Sequence, residues 1–132
     1  VASCAAKGGG GRLVVPDVVI RVAGGVPTGS ALTVGSDPHH DVVLTAEGTL
    51  EIGFLGSGSC PTFPVSVTAG SPSTVIVVSA PAAKSDDARA GAMNCTADIS
   101  PTTSTVRVPV GVDIRKPFHV IVDGYDHFVV PR

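Results

Sequence analysis

The chain is predicted to fold as an all-β domain, a small sandwich of immunoglobulin-like or Greek-key type, on three observations. First, 43% of its 132 residues are hydrophobic, yet aromatics are 4% and tryptophan is absent, so the apolar content is mainly valine and alanine. Valine is stiff at its first side-chain torsion and packs well on a pleated surface, which favours strands over helices. Second, Gly 16 and Pro 11 supply turns and break helices. Third, the apolar runs are short and turn chemistry separates them, giving about nine candidate strands and no long amphipathic segment. Alternating faces of this kind need a second sheet to cover them.

Residues 1–11, with the run Gly8 to Gly11, have no hydrophobic period and read as a flexible tether, leaving residues 12–132 as a single domain. Residues 12–22 are rich in valine but interrupted by Pro16-Asp17, so they are two strands or one bulged edge strand. Residues 24–29 form a turn or loop, residues 31–34 a short strand, and residues 35–38 another turn. Residues 41–45 and 49–55 flank Ala46-Glu47-Gly48 as a hairpin. A glycine-serine turn, residues 56–61, leads into Cys60. In residues 63–68, Phe63, Val65 and Val67 alternate with Ser66 and Thr68, the pattern of a half-buried strand. Residues 69–72 turn the chain into residues 74–79, apolar throughout and expected to be buried on both faces. The long polar interruption 80–94 has room for one helical turn. Strands 95–99 and 103–110 follow, separated by Ser100-Pro101, and Asp123-Gly124 joins residues 118–122 to 125–130 as a hairpin.

The formal net charge is −2 and no basic stripe is present, which argues against a nucleic-acid partner. No apolar run approaches the ~18–20 residues that span a bilayer as a helix. Of three cysteines, Cys60 precedes a strand and Cys95 opens one, and a disulfide between them closes a long loop. The competing reading is a pair of buried free thiols in a cytosolic protein. Metal ligation is weaker still, because neither cysteine has a close cysteine or histidine partner.

Cys4 lies in the tether, where an exposed thiol is a liability in an oxidising compartment. Val1-Ala2-Ser3-Cys4 resembles a bacterial lipobox, an aliphatic residue and two small residues before the cysteine that receives the lipid. That resemblance implies a membrane anchor on Cys4. The charged and apolar segments that precede a full lipobox are absent from this sequence.

A wider likeness spans roughly residues 50–125. Gly56-Ser57-Gly58-Ser59-Cys60-Pro61, Cys95-Thr96-Ala97-Asp98 and the proline-threonine stretch from Pro101 to Pro109 resemble a set of uncharacterised secreted proteins and lipoproteins of high-GC Gram-positive bacteria. The resemblance implies export and a disulfide, and brings no activity.

The candidates for chemistry are few. His39-His40-Asp41 invites a metal reading, but adjacent side chains of an extended chain point to opposite faces, so an exposed loop tip is favoured. Asp123-Gly124-Tyr125-Asp126-His127 lacks the alternating oxygen ligands and closing acid of a calcium loop. Asp86-Asp87 reads as a solvated pair, and Asp98 as an acceptor for backbone groups near the Ser100-Pro101 turn. His119 or His127 would need a nearby serine or cysteine and an orienting acid, and no serine sits in a strained strand-to-helix elbow. No catalytic residue, metal or cofactor is assigned. The expected function is a lipid-anchored or secreted module that binds a protein or cell-wall partner. Its candidate binding loops are residues 24–29, 37–41 and 80–94. The alternatives are an inhibitor of an extracellular protease and a small hydrolase or metal protein.

Overall fold

The computed structural model describes residues 14–82, 95 and 98–131. The expected tether with Cys4, Asp86-Asp87 and the possible helical turn within residues 80–94 lie wholly or mostly outside the described residues. The chain is a small all-β sandwich. Its strands are β1 (Val19–Gly24), β2 (His40–Leu44), β3 (Thr49–Gly56), β4 (Thr62–Ser71), β5 (Thr74–Pro81), β6 (Ser100–Arg107), β7 (Phe118–Val122) and β8 (Tyr125–Val129). One sheet runs β1-β6-β3-β2 and the other β4-β5-β7-β8.

Every pairing is antiparallel except β5 with β7. Parallel neighbours need a crossover. Here the connection visits the other sheet as β6 before it returns.

Two of the three hairpins, β2–β3 and β7–β8, form where turn chemistry places them. Gly48, at φ 83°, closes the β2–β3 turn. Asp123 and Gly124 both take positive φ, 50° and 86°, the paired left-handed conformation whose twist matches that of the flanking strands.

The core lies between the sheets. Leu50, Ile52 and Phe54 of β3 and Val106 of β6 face Val75 and Val77 of β5, Phe118, Val120 and Val122 of β7 and Val129 of β8. Each such side chain contributes about 1.5–3 kcal/mol on leaving water. Cys60 and Cys95 are joined as a disulfide with Cα atoms 5.4 Å apart. The bond ties the turn before β4 to the segment that leads into β6. A disulfide of this kind points to an oxidising environment outside the cytoplasm.

The outer faces of the two sheets differ. The segment between β1 and β2 folds back over the first sheet. Pro27 and Leu32 are buried, and the Thr103 hydroxyl donates to the Gly25 carbonyl at 2.8 Å. Gly53 of β3 lies directly beneath this cover, where a Cβ would stand 2.5 Å from Pro27 Cδ. On the second sheet Ile76 and Val78 remain 38% and 46% exposed.

Six expectations are corrected here. Residues 31–34 are loop and not strand: Leu32 is buried by folding onto a sheet face, so its apolar character does not require strand pairing. Among the described residues of 95–99 none is in a strand, and β6 starts at Ser100 and runs through Pro101. Ser100-Pro101 is therefore not the expected turn, because Pro101 sits at the strand's start, where proline is tolerated. The β4–β5 turn is at Pro72-Ser73, since β4 continues to Ser71. Val65 is 43% exposed because a bulge between Pro64 and Ser66 slips the two-residue alternation by one. β5 is interior to its sheet, but only Val75 and Val77 are fully buried, since no described segment covers Ile76 and Val78. The stretch 12–22, expected as two strands or one strand bulged at Pro16-Asp17, contributes to one edge strand, β1, whose irregularity lies between Val19 and Arg21, and Pro16-Asp17 precede it.

Candidate functional site

The chain has five aromatic residues, four Phe and one Tyr. Phe54, Phe63 and Phe118 are buried in the interior. The other two, Tyr125 and Phe128, are 48% and 61% exposed and lie on the same strand, β8. β8 forms one edge of the second sheet, and β2 forms the edge of the first sheet beside it. Each of these strands has one hydrogen-bonded neighbour in its sheet. The outward row of main-chain donors and acceptors on such an edge is a template for another strand.

The two edges approach at one end and leave an open groove at the other. The groove has a volume of about 940 Å³, and its lining includes Val43, Leu44, Glu47, Phe128, Val130 and Pro131. Phe128 also packs against His119, ring centres 5.0 Å apart. His119 Nδ1 meets both carboxylate oxygens of Asp126, at 2.8 and 2.9 Å.

At the closed end His40 of β2 and His127 of β8 meet directly, Nδ1 to Nε2 at 2.7 Å. Alternation explains the encounter. His40 shares a face of β2 with Val42 and Leu44, which pack on the core, and His127 shares a face of β8 with buried Val129. Both imidazoles therefore turn inward where the sandwich would otherwise gape. Tyr125 and Phe54 crowd them, with ring centres 5.7 and 6.0 Å from His40. The far nitrogen of His127 faces Asp41 Oδ1 at 3.9 Å. Asp41 is held in turn by the Ser30 hydroxyl at 2.6 Å and by the Val42 amide at 2.9 Å.

Burial holds the pKa values of both His40 and His127 below the ordinary histidine value. For His40 the neighbouring His127 adds to the depression, while Asp123 and Asp41 oppose it. For His127, Asp41 and Asp126 oppose the effect of burial.

The residues singled out for chemistry are thus distributed differently from the sequence pattern. His39 and His40 do separate: His39 is exposed before β2, while His40 turns inward to a partner 87 residues away. Among the described residues no group of three or more His, Cys, Asp or Glu side chains is placed to hold a metal. Asp123 accepts the Ser79 amide at 2.8 Å and is also bonded to the Ser79 hydroxyl, so it pins the β7–β8 turn to β5. Asp98 accepts the Ser100 hydroxyl at 3.0 Å and approaches the Gly58 amide at 3.4 Å, so these partners are a side chain and a distant backbone group, where the backbone of the turn was expected. Ser30 donates to Asp41 and not to a histidine, so this serine, acid and histidine do not form a nucleophilic relay.

Of the candidate binding loops, residues 24–29 are partly committed to covering the first sheet through buried Pro27. Residues 37–41 lead into the histidine contact through a cis Asp37-Pro38 bond. Most of residues 80–94 lie outside the described residues. The groove and the exposed aromatics of β8 were not anticipated. The available signal was Asp126, Phe128 and Val130 alternating with Tyr125, His127 and Val129, a strand with apolar groups on both faces. Comparison with known proteins yields no significant match to a family model, a curated protein or a solved structure.

Proposed function

We propose that the protein is an extracytoplasmic binding module that takes an extended polypeptide segment along edge strand β8, in the groove between β8 and β2. The observation that carries this reading is the placement of both exposed aromatic residues on one sheet edge, in a chain whose other aromatics are all buried. Aromatic side chains dominate binding hot spots because they remove a large apolar area at small entropic cost. A free sheet edge adds main-chain hydrogen bonds without demanding a particular sequence, and the side chains of alternate residues then supply selectivity. The groove provides apolar walls for those residues through Leu44, Val130 and Pro131.

The disulfide, the lipobox-like Cys4 and the likeness to exported proteins support a secreted or lipid-anchored location, with the membrane engaged only through that anchor. Scarcity of aromatics elsewhere argues against a carbohydrate-stacking face. The partner class is therefore a protein.

Selection from a displayed library of random linear peptides tests the reading, with Phe128→Lys protein as the counter-selection target. The expected winners are peptides of alternating apolar pattern that shift backbone amide resonances of β8 and β2. Failure to enrich any sequence, or winners that perturb a surface remote from β8, overturns the proposal.

A further inference from the structure

We infer that the His40–His127 contact is a proton-operated clasp between the two sheets, closed while at most one of the two rings is cationic and opened when the second ring is protonated. Two imidazole nitrogens 2.7 Å apart need one hydrogen between them and have room for only one. When both rings are neutral, one donates its N–H and the other accepts. When one ring is cationic, the same bond survives and is strengthened by the charge. When both are cationic, two N–H groups point at each other and no acceptor remains. The final protonation therefore cannot occur with the contact intact, and the rings must part.

The position of the pair gives this event a structural consequence. His40 belongs to β2 and His127 to β8, so the contact ties the edge of one sheet to the edge of the other. The groups that face the pair are known on every side. His127 and Tyr125 come from β8, Asp123 from the β7–β8 turn, and Phe54 from β3, while His39 and Asp41 flank His40 on its own segment. Asp41 and Asp126 face His127. Burial opposes every added proton and the carboxylates favour it, while a first cationic ring further opposes protonation of the second. Two interacting rings of this kind titrate as a pair in two macroscopic steps.

The clasp also regulates the groove, and this consequence alone rests on the binding reading above. With the clasp closed, β2 stands beside the Tyr125 end of β8. Once it opens, the main chain of β8 becomes accessible over its whole length to an added strand, so acidification strengthens peptide binding.

Side-chain nitrogen resonances of the four histidines, followed by NMR from pH 7.5 to 4.0 on the intact domain, test the clasp without any ligand. The expected result is that His40 and His127 titrate together in two steps, with the amides of β2 and β8 moving in the lower step. In His40→Gln and His127→Gln proteins the remaining ring titrates in a single step and the lower-step amide shift disappears. Independent single-step titration of both rings in the wild type, or a lower step without amide movement, overturns the inference. Affinity for a peptide selected as above is then measured at both ends of the range. A clasp that titrates as described beside a peptide that never binds sinks the binding reading alone, and a peptide that binds equally at both ends sinks only the coupling.

Discussion

Reduction of Cys60–Cys95 offers a quantitative test of what holds this sandwich together. The bond joins residues 35 apart. In the chain-entropy treatment, closing a loop of that length removes about 13 cal/mol/K from the unfolded chain, or about 3.8 kcal/mol at 25 °C. Against a typical domain stability of roughly 5–15 kcal/mol, that is a large share. At about 3–5 °C per kcal/mol for a chain of this length, the melting temperature falls by roughly 10–20 °C. The assay is urea and thermal unfolding of the oxidised protein, of the same protein in strong reductant, and of the Cys60→Ala/Cys95→Ala double variant. Reduction isolates the cross-link, because both sulfur atoms stay in place. The double variant also removes the buried Cys60 sulfur and is expected to lose slightly more. The urea m-value rises in both, since the freed chain exposes more surface when unfolded. A loss below ~1 kcal/mol on reduction contradicts the reasoning, because the model then assigns the bond far more than it supplies.

Three further outcomes follow from named contacts. Gly53→Ala drives a methyl group into the rigid Pro27 ring and is expected to cost about 1–3 kcal/mol by urea unfolding; an unchanged midpoint shows that the 25–38 segment does not cover the first sheet. Ser104 Oγ is buried in β6 without a hydrogen-bond partner, so Ser104→Ala is expected to be neutral or to stabilise by up to ~1 kcal/mol, and a clear loss of stability reveals a partner for that hydroxyl. His40 and His127 have lowered pKa values in the fold, so the unfolded chain binds protons first on acidification. Stability from this source is complete above about pH 6.5, the ordinary histidine value, and declines as pH falls from there through the lowered folded values. The His40→Gln/His127→Gln protein shows a flatter profile across that window in parallel urea titrations, and an identical slope refutes the assignment.

Much of the architecture is legible from local chemistry. Valine-rich runs bounded by glycine and proline mark strands, and Ala46-Glu47-Gly48 and Asp123-Gly124 mark hairpins, because positive φ at Gly48, Asp123 and Gly124 is a requirement that acts over two or three residues. The pairing of Cys60 with Cys95 is legible because these are the two cysteines that lie outside the expected tether. The failures share a different cause. Val65 points outward because one bulge resets the alternation, and Leu32 is buried by a loop lying on a sheet and not by strand pairing. Ser100-Pro101 reads as a turn until a neighbouring strand pairs with it.

The sequence by itself determined the fold class, the hairpins and the covalent staple, since propensity, turn conformation and cysteine count act along the chain. Only the tertiary structure decided which strands became edges, and that set the candidate site. Tyr125 and Phe128 are exposed because β8 ended a sheet, and His40 meets His127 because two edge strands distant in sequence close the same side of the sandwich. Such placements depend on how the two layers pack, and no local pattern encodes which faces are left uncovered.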